Sequence, residues 1–540
     1  MSRYAKQFNT KVTQQSESIP GSVQVKNSSG GFSFEVNDWV KLDRFMLLGT
    51  EGGSYYATER ELTVTSAEAV LRCLQSDGLR LVRRVVEISE AGRAPKNDPA
   101  IFVLAIAAKR GNDVTRKAAL EALPRVCRIG THLFQFVEAM ESFGGWGRGT
   151  RRAVGSWYTS KSAEQLAYQL VKYRKRGGWS HRDILRLAKP VAGDSALLKF
   201  AVGKPLGDGQ IPSVLEGYLK AESATDAKEI VQIIADHPEL PWEAIPTKFM
   251  KSPDVFGALL PNMPVAATIR MLNRMTAYGL LGPLASANKV VTARLSDEEA
   301  IRKSKVHPVS VLAGLLTYKS GRGIKGDLSW NPVREIVDAL DGAFYLAFGN
   351  VEPSNKRTLI ALDVSGSMSS GVVAGIPGLT PRVGSAAMAM VTARVEPEYT
   401  IAGFTSSTPG RYGGQWDNGE SGLTPIDISP RQRLDDVCKA ASSLPMGGTD
   451  CALPMIWAAE RDMQVDTFLL YTDSETWAGK IHPKQALDAY RQKTGIPAKL
   501  VVVAMLANPF SIADQNDSGM LDVVGFDTAT PSIISEFSKG

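Results

Sequence analysis

Oxygen-bearing side chains follow an apolar stretch in residues 358–369, TLIALDVSGSMS. The run LIAL contains no turn former, which is typical of a strand buried on both faces in a parallel sheet. Asp363, Ser365 and Ser367 then occupy alternate positions as the strand gives way to a loop. One carboxylate and two hydroxyls can therefore converge at the carboxyl end of the strand, where oxygen ligands suit a hard divalent cation such as Mg²⁺.

Two later segments extend this pattern. GGTD places Thr449 on a glycine loop before the helical run CALPMIWAAERD, and TFLLYTDSET places Asp473 at the end of a second buried strand. Open α/β sheets bind ligands in the crevice formed by such loops. D-x-S-x-S alone is equally compatible with a solvated turn, but three segments in order on alternating strands and helices favour a metal site. The predicted ligand set is Asp363, Ser365, Ser367, Thr449 and Asp473.

The pattern D-x-S-x-S with a later Thr and a later Asp resembles the metal-ion-dependent adhesion site of von Willebrand factor A domains. The resemblance implies a doubly wound, Rossmann-like α/β domain. It also implies that the hydroxyls touch the metal directly, that the acids act largely through water, and that an acidic oxygen of a partner takes the open position.

Length and composition restrict the class of protein. A chain of 540 residues exceeds a single core, so two or three domains are expected, and 44% hydrophobic residues is an ordinary globular composition. The four cysteines are scattered and form no C-x-x-C, which favours a reducing compartment and argues against a disulfide framework and a zinc site. The first 18 residues contain no apolar signal region, and the longest apolar runs, such as residues 99–108, are too short to cross a bilayer. We therefore predict a cytoplasmic protein without a membrane partner.

The net charge of +6 conceals an asymmetry along the chain. Residues 355–540 contain 15 Lys and Arg against 20 Asp and Glu, a net charge of −5, which leaves 47 against 36, or +11, before residue 355. A polyanion is the natural partner of the basic part. Surface charge that serves only solubility is the alternative.

The region before residue 355 is dominated by helical signals. Residues 1–30 are polar and rich in Ser, Gln and Asn, which predicts a flexible lead-in. Thr65-Ser-Ala-Glu68 is a capping-box pattern that predicts a helix start before an apolar periodic run. Similar segments follow without a fixed period, which predicts stacked helix pairs of the HEAT type, with a compact helical bundle as the alternative. The predicted domains are residues 1–30, 31–354 and 355–540.

Basic and aromatic residues alternate in residues 144–190. At about 100° per residue, Lys172 and Arg176 point away from the apolar stripe of a predicted helix, one turn apart. Such cations can bind phosphates. The residues predicted to contact RNA are Lys172, Lys175, Arg176, Arg148, Arg151 and Arg152.

Trp146, Trp157, Tyr158 and Trp179 interleave with these cations and could stack on unpaired bases. Basic runs are also common on solvated faces, and tryptophans are common in cores. His181 follows Ser180 at a helix N-cap position, so capping or packing is a better interpretation for it than acid–base chemistry.

A second resemblance covers residue 38 to the end of the chain. The segments that carry it are FMLLGTEGGSYYATERELT, RGTRRAVGSWYTSK, KYRKRGGWSHRDILRL, HPVSVLAGLLTYKSGRGIKG, GGTDCALPMIWA, SETWAGKIHP and IADQNDSGMLDVVGFD. Together they resemble the Ro autoantigen family, whose members join a TROVE module to a von Willebrand factor A domain.

This resemblance implies a monomeric ring of helical repeats whose ends are clasped by the A domain. It implies that noncoding Y RNAs bind the outer basic surface, with Lys172 and Arg176 as contacts, and that single-stranded 3′ ends of misfolded RNAs enter the central cavity. A protein such as an exoribonuclease is the partner implied for the metal site. This chain has Ala188-Lys189 where animal members carry Ser-His, so a histidine contact is not transferred. Residues 370–381 and 407–430 are Gly/Pro-rich and look longer than the usual loops of the family.

Three hypotheses follow. The first is the RNA-binding scaffold of a small ribonucleoprotein that acts in RNA quality control or processing. The second is a metal-dependent protein-adhesion scaffold to which RNA binding is incidental. The third, a phosphodiester hydrolase, is disfavoured because the metal segments supply no histidine as general base and both acids already serve the ion. We therefore predict a binding protein rather than an enzyme.

Overall fold

The computed structural model describes residues 12–50, 58–190, 195–206, 211–324, 326–349, 351–406, 422–444 and 446–540, apart from the side chains at positions 62 and 374. The chain forms two compact units. One is Leu71–Ala347, and the other combines Met1–Val70 with Phe348–Gly540. The two ends of the sequence therefore belong to one unit, whereas the predicted division placed residues 31–354 together.

The N-terminal segment contains β1 (Gln24–Lys26), β2 (Phe32–Glu35) and α1 (Asp38–Leu48). The prediction of a flexible lead-in is wrong for residues 12–30. Gln15 and Asn27 are buried, and both bond to residues of the C-terminal part of their unit. The polar composition that suggested flexibility instead supplies hydrogen-bond donors to buried loops.

The helical unit consists of a succession of short and medium helices and one small hairpin. Its elements, with α2 beginning in the other unit, are α2 (Glu59–Ala91), α3 (Asp98–Arg110), α4 (Asp113–Val126), α5 (Gly130–Ser142), α6 (Arg148–Thr159), α7 (Ala163–Lys172), β3 (Lys175–Arg176), β4 (Trp179–Ser180), α8 (His181–Ala188), α9 (Ala196–Ala201), α10 (Ser213–Ser223), α11 (Ala227–Asp236), α12 (Pro253–Leu259), α13 (Val265–Ala277), α14 (Ala287–Ser296), α15 (Glu298–Ser304), α16 (Pro308–Ser320) and α17 (Arg334–Leu346).

Helix α2 begins about two turns before the predicted cap, with Thr58 in place of Thr65 as the capping residue. Thr58 Oγ1 accepts a hydrogen bond from Glu61 N, and the Glu61 carboxylate accepts one from Thr58 N, which is the reciprocal capping pattern. Thr65 therefore lies inside the helix. The helix is interrupted at Asp77, whose backbone is non-helical and whose carboxylate accepts from Arg80 N, so that it caps the second half.

Successive helices pack on their neighbours: α3 on α4 and α5, α4 on α6, α10 on α11, and α16 on α17. The first and last parts of this unit also meet, because His307 Nε2 lies 3.0 Å from the Arg93 carbonyl oxygen and the Lys305 ammonium donates to the Glu90 carbonyl. The predicted helical character of this region is confirmed.

The C-terminal part of the other unit alternates strands and helices. Its elements are β5 (Thr358–Asp363), α18 (Pro381–Val395), β6 (Tyr399–Phe404), β7 (Leu423–Pro425), α19 (Leu434–Ser443), α20 (Leu453–Glu460), β8 (Thr467–Thr472), α21 (Pro483–Thr494), β9 (Lys499–Ala504), β10 (Phe510–Ser511), β11 (Met520–Val524) and α22 (Thr530–Lys539).

Six of these strands form one sheet in the order β11-β9-β8-β5-β6-β7, parallel except for β7. Both central strands, β5 and β8, are buried along their whole length, as their apolar sequences predict. The chain crosses from one side of β5 to the other between β6 and β8, so the carboxyl ends of β5 and β8 lie at a topological switch point. The predicted doubly wound α/β fold is confirmed. Strand β10 instead extends β1 and β2 into a separate three-stranded antiparallel sheet.

All four cysteines are buried, and none of them forms a disulfide. No helix in the described part of the chain combines the length and hydrophobicity that a membrane crossing requires.

Candidate functional site

The five residues of the predicted metal centre lie at the carboxyl edge of the six-stranded sheet. All five belong to the same unit as the sheet. Leu362 pairs with Tyr471 in the parallel register of β5 and β8, so Asp363 stands opposite Thr472. The Thr472 hydroxyl donates to Asp363 Oδ2 at 2.6 Å, and Ser365 N donates to Asp363 Oδ1 at 2.9 Å. Each member of the predicted ligand set is at most 2% exposed: Asp363, Ser365, Ser367, Thr449 and Asp473.

The hydroxyls of this centre are placed as neighbouring ligands of a small cation. Ser365 Oγ and Ser367 Oγ are 3.0 Å apart. Octahedral Mg²⁺–O distances of about 2.1 Å place adjacent ligand oxygens about 3.0 Å apart. Thr449 Oγ1 and Asp473 Oδ2 are buried and have no hydrogen-bond partner among the described residues. Buried polar atoms are rarely left unpaired, so these two oxygens fit a metal-binding role.

Glycines allow the Thr449 loop, residues 446–452, to reach this position. A Cβ at Gly447 would lie 2.5 Å from Thr405 Oγ1, and one at Gly448 would lie 2.8 Å from the Trp477 ring. Hydrogen bonds tie the same loop down, because Thr405 Oγ1 donates to the Gly448 carbonyl at 2.7 Å and Gly366 N donates to the Gly447 carbonyl at 3.3 Å.

The electrostatics of the centre are those of uncompensated carboxylates. Burial raises the pKa of Asp473 to about 8, and the nearby carboxylates of Asp363 and Glu475 add to the rise. Burial also raises the pKa of Asp363, against hydrogen bonds from Ser365 and Thr472. A divalent cation would reverse both shifts, since positive charge favours the ionised acids. The residues present therefore fit a hard cation.

Across the parts of the chain that the structure describes, no cluster of three or more His, Cys, Asp or Glu side chains could hold a metal. The predicted centre is compatible with this result, because it has two acids and takes its other oxygens from hydroxyls.

Sequence reasoning missed two supporting residues. Thr472 lay inside a quoted motif, but its bond to Asp363 depends on strand register. Arg382 of α18 is buried; it donates to Ala441 O at 2.7 Å and to Ser369 Oγ at 3.3 Å, and its positive charge opposes the rise in the pKa of Asp363. No sequence motif predicts that contact.

The helix on which the RNA prediction rested ends earlier than expected. Helix α7 stops at Lys172, and Arg176 lies in the β3–β4 hairpin, so the helical-wheel placement of Arg176 is wrong. The hairpin turn is Gly177-Gly178, with φ angles of +56° and +84°. Two glycines at positive φ are typical of a type I′ turn, which a continuous helix cannot contain.

Five of the predicted RNA contacts are nevertheless exposed, on two different elements. Arg148, Arg151 and Arg152 lie on α6, Lys175 and Arg176 lie on the hairpin, and α8 packs against both elements. None of these five forms an ion pair with another described residue. We call these five, together with Lys172, the basic surface.

Lys172 differs from the rest of the basic surface. It is half-buried, and its ammonium donates to the Tyr168 hydroxyl at 3.0 Å and lies 5.5 Å from the centre of the Tyr173 ring. Lys172 therefore has a packing role in addition to any contact with a ligand.

Beneath the basic surface, several of the predicted base-stacking residues are core. Trp157 and Tyr158 are buried; Trp157 Nε1 donates to the Cys127 carbonyl at 2.5 Å. The Tyr158 hydroxyl and His181 Nδ1 are hydrogen-bonded at 2.9 Å. Ser180 caps α8 in a capping box with Asp183, and burial lowers the pKa of His181 to about 4, so the capping and packing interpretation of this region is confirmed. Trp146 and Trp179 are half-buried.

A cleft of about 490 Å³ lies beside the place where the first and last parts of the helical unit meet. Its lining includes Arg128, Arg270 and Lys305 and contains no Asp or Glu among the described residues. Two of these cations form hydrogen bonds within the helical unit: Arg128 donates to Ser89 Oγ at 2.9 Å, and Lys305 donates to the Glu90 carbonyl. The cleft is thus positively charged, with Arg270 at its exposed margin.

The difference in net charge between the two parts of the chain is larger when the chain is divided by structural unit than when it is divided at residue 355. Residues 71–347 contain 40 Lys and Arg against 27 Asp and Glu, a net charge of +13, and the rest of the chain contains 22 against 29, a net charge of −7.

The sequence matches two family models. Residues 357–538 match the Ro60 vWA domain, and residues 25–204 and 235–315 match the TROVE domain. The chain is 42% identical over 526 residues to the protein named RNA-binding protein RO60 in Deinococcus radiodurans, covering 96% of both chains. It is 34% identical over 600 residues to the protein of the same name in Caenorhabditis elegans, covering 96% of this chain and 90% of that one. The crystal structure of the Deinococcus radiodurans RO (RSR) protein superposes with a TM-score of 0.70 and 42% identity, over 93% of this chain and all of that chain.

Proposed function

This chain belongs to the Ro60 family, and on that premise we propose that it is the RNA-binding protein of a small ribonucleoprotein. The observation that carries the proposal is a match over 96% of the chain to relatives that are named RNA-binding proteins. The net charge of +13 on the helical unit supports it independently, because a polyanion gains most of its affinity from such a surface.

On the helical unit, the ligand of the basic surface is a structured noncoding RNA of the Y type. The support is the set of exposed cations without ion-pair partners, which are free to contact phosphates. Few aromatic faces are exposed beside them, so backbone contacts rather than base stacking dominate.

A second RNA element, the single-stranded 3′ end of a misfolded or structured RNA, enters the cavity of the helical unit. Support comes from the contact between the two ends of that unit and from the positive cleft beside it. The unit thereby selects RNA by shape and supports RNA quality control or the recruitment of RNA for processing.

The metal centre holds Mg²⁺ through Ser365, Ser367 and Thr449, with Asp363 and Asp473 in support. The cation supplies a Lewis-acidic position for an acidic oxygen of a protein partner, such as an exoribonuclease. The protein orients that position by the bonds of Thr472 and Ser365 to Asp363 and by the glycine loop before Thr449.

RNA is bound and not cleaved in this proposal. The relatives are named RNA-binding proteins, and none of the five residues of the centre is a histidine that could act as a general base. A metal-dependent adhesion scaffold with incidental RNA binding is the alternative, favoured by the completeness of the metal centre. Four buried cysteines that form no disulfide support a reducing, cytoplasmic location.

The test is to purify the protein from its own cells and sequence the RNA that copurifies. We expect enrichment of one or a few structured noncoding RNAs together with RNAs that carry unpaired 3′ tails. Purification without enriched RNA, but with a protein partner that is lost on chelation, would favour the adhesion alternative.

A further inference from the structure

The N-terminal segment, residues 13–34, lies along the loop that follows Asp473, residues 473–482. Three consecutive carbonyl oxygens of that loop accept hydrogen bonds from side chains of the segment. Ser33 Oγ donates to Ser474 O at 3.1 Å, Ser29 Oγ to Glu475 O at 3.1 Å, and Asn27 Nδ2 to Thr476 O at 2.8 Å.

The backbones of the N-terminal segment and of the loop 473–482 approach closely because the residue at position 31 is a glycine. A Cβ at Gly31 would lie 2.0 Å from the Thr476 carbonyl oxygen, so only glycine fits there. The loop itself is under strain, because Ser474 has a φ of +63°. Backbone of this kind persists when the surrounding contacts fix it.

Gln15 joins this loop to the Thr449 loop. Its amide Nε2 donates to Asp450 Oδ1 at 2.7 Å and to Ile481 O at 2.8 Å. Its Oε1 accepts from Gly479 N at 3.2 Å and from the Thr476 hydroxyl. The side chain is fully buried, and every hydrogen-bonding position of the amide is used.

The two loops that Gln15 joins also hold each other through Thr449. The Thr449 carbonyl accepts from Trp477 N at 3.1 Å and from Ala478 N at 3.0 Å, and the Asp450 carboxylate accepts from Ala452 N at 3.0 Å. The position of the Thr449 side chain therefore depends on the arrangement that Gln15 fixes.

We propose that Gln15 is a positioning residue for the metal centre, and that the N-terminal segment is a structural component of that centre. The proposal rests on the proposed Mg²⁺ site. Without the Gln15 amide, the buried Asp450 carboxylate and the Gly479 amide lose partners, and the junction between the two loops is weakened to the direct bonds that Trp477 N and Ala478 N make to Thr449 O. The Thr449 hydroxyl is then held less firmly in the position in which it can act together with Ser365 and Ser367.

The experiment compares Gln15→Met, which keeps the volume and removes the hydrogen bonds, with Asp466→Ala in the same unit. Asp466 is bonded to Arg357 at 2.6 Å, beside the amino ends of β5 and β8 and thus at the opposite edge of the sheet. Mg²⁺ affinity is measured calorimetrically after chelator treatment. We expect at least a tenfold loss in Gln15→Met and wild-type affinity in Asp466→Ala, when both are measured below their unfolding transitions.

A second readout does not depend on the metal. In the metal-free full-length protein, amide hydrogen exchange of residues 474–479 should accelerate in Gln15→Met and stay unchanged in Asp466→Ala. Wild-type Mg²⁺ affinity in Gln15→Met overturns the assignment, as does an equal loss in Asp466→Ala. A wild-type protein that binds no Mg²⁺ overturns the proposed metal site itself.

If Gln15→Met fails to fold, Ser29→Ala decides the question, because it removes one partly buried hydrogen bond to the same loop. We expect a smaller loss of Mg²⁺ affinity, about threefold, with faster exchange at residues 474–479. Unchanged affinity and exchange in Ser29→Ala would overturn the role of the segment.

Discussion

The proposed metal centre and the basic surface differ in how their side chains are held. The proposed metal centre is a buried set of oxygens at the ends of two paired strands, in a unit with a net charge of −7. The basic surface consists mainly of exposed cations on a helix and a hairpin, in a unit with a net charge of +13. Binding at a buried site of this kind depends on the fixed positions of its ligand atoms, whereas binding at an exposed basic surface depends on the total charge. Single substitutions should therefore abolish the function of the first and only weaken the second.

The sharpest test of this contrast is Asp363→Ala. Removal of one of two buried acids should abolish measurable Mg²⁺ binding in a calorimetric titration. RNA affinity should stay within about twofold of wild type, since the cations that attract RNA are in the helical unit. Asp466→Ala is the matched control for loss of a carboxylate elsewhere in the sheet. An unaltered Mg²⁺ titration in Asp363→Ala would remove the site, and RNA cleavage that depends on Asp363 would revive the hydrolase hypothesis.

The next largest effect should come from the shape of the RNA. A hairpin with an unpaired 3′ tail should bind more than tenfold tighter than the same hairpin made blunt, because a single strand can enter a cavity that excludes a duplex. Scrambling the tail sequence should matter little, since charge without base readout is not sequence-selective. Competition between the two hairpins at one fixed salt concentration provides the measurement. Equal affinities would contradict tail capture and leave a basic scaffold that reads charge alone.

Within the basic surface, the Lys172→Ala and Arg176→Ala double variant should weaken binding of structured RNA by roughly tenfold. The slope of log K against log salt should fall by about 1.4 to 1.8, at roughly 0.7 to 0.9 for each of two phosphate contacts. The tail preference should persist in this variant, because the tail binds elsewhere.

The single variants separate the two residues. Arg176 is exposed, so its loss should leave the thermal stability unchanged. Lys172→Ala should lower the free energy of unfolding by about 1 kcal/mol, since the hydrogen bond from Lys172 to Tyr168 is partly buried. Arg334→Ala, an exposed cation on α17, serves as the control. An unchanged salt slope in the double variant would show that the RNA surface is misassigned.

The smallest effect should be the pH dependence of the core beneath the basic surface. Burial lowers the pKa of His181 to about 4, from about 6.5 in the unfolded chain. Between these values the unfolded state binds more protons, so stability falls as the pH drops below 6.5. When the pH falls from 7 to 5.5, protonation of His181 in the unfolded chain should lower the free energy of unfolding by about 1 kcal/mol. His132, whose pKa burial also lowers to about 4, should contribute similarly.

Hydrogen exchange of α6–α8 amides at the two pH values checks this prediction. His181→Gln should lose roughly half of the pH dependence of the wild type. Equal pH dependence in the variant and the wild type would contradict the assignment of a neutral, buried His181.

The sequence was sufficient to predict that Asp363, Ser365, Ser367, Thr449 and Asp473 lie at one edge of the sheet, because the apolar strands before them and the order of those strands agree. It was insufficient for Gln15 and Arg382, because these residues reach the centre through tertiary contacts; Gln15 and Asp450 are 435 positions apart. Polar composition alone could not distinguish a flexible lead-in from a segment whose polar groups pair with buried carbonyls.

The error at Arg176 was avoidable. The dipeptide Gly177-Gly178 between two short extended pairs is a hairpin signal, and it should have outweighed the continuation of a helical period. The helix start was ambiguous in a different way, because Thr58 and Thr65 both begin a capping-box pattern. The structure uses the first.

The pairing of β2 with β10 has a consequence for the order of folding. Glu35 is the register partner of Phe510, so the α/β unit closes a loop of 475 residues, whereas the helical unit is contiguous in sequence. Closing so long a loop carries an entropic cost of about 5 kcal/mol plus a constant. At roughly 5 to 20 residues per second, the ribosome needs about 25 to 95 s to make the chain that separates the two strands. The helical unit can therefore fold during synthesis. Strand β2 of the N-terminal segment stays unpaired with β10 until the end of the chain has been made.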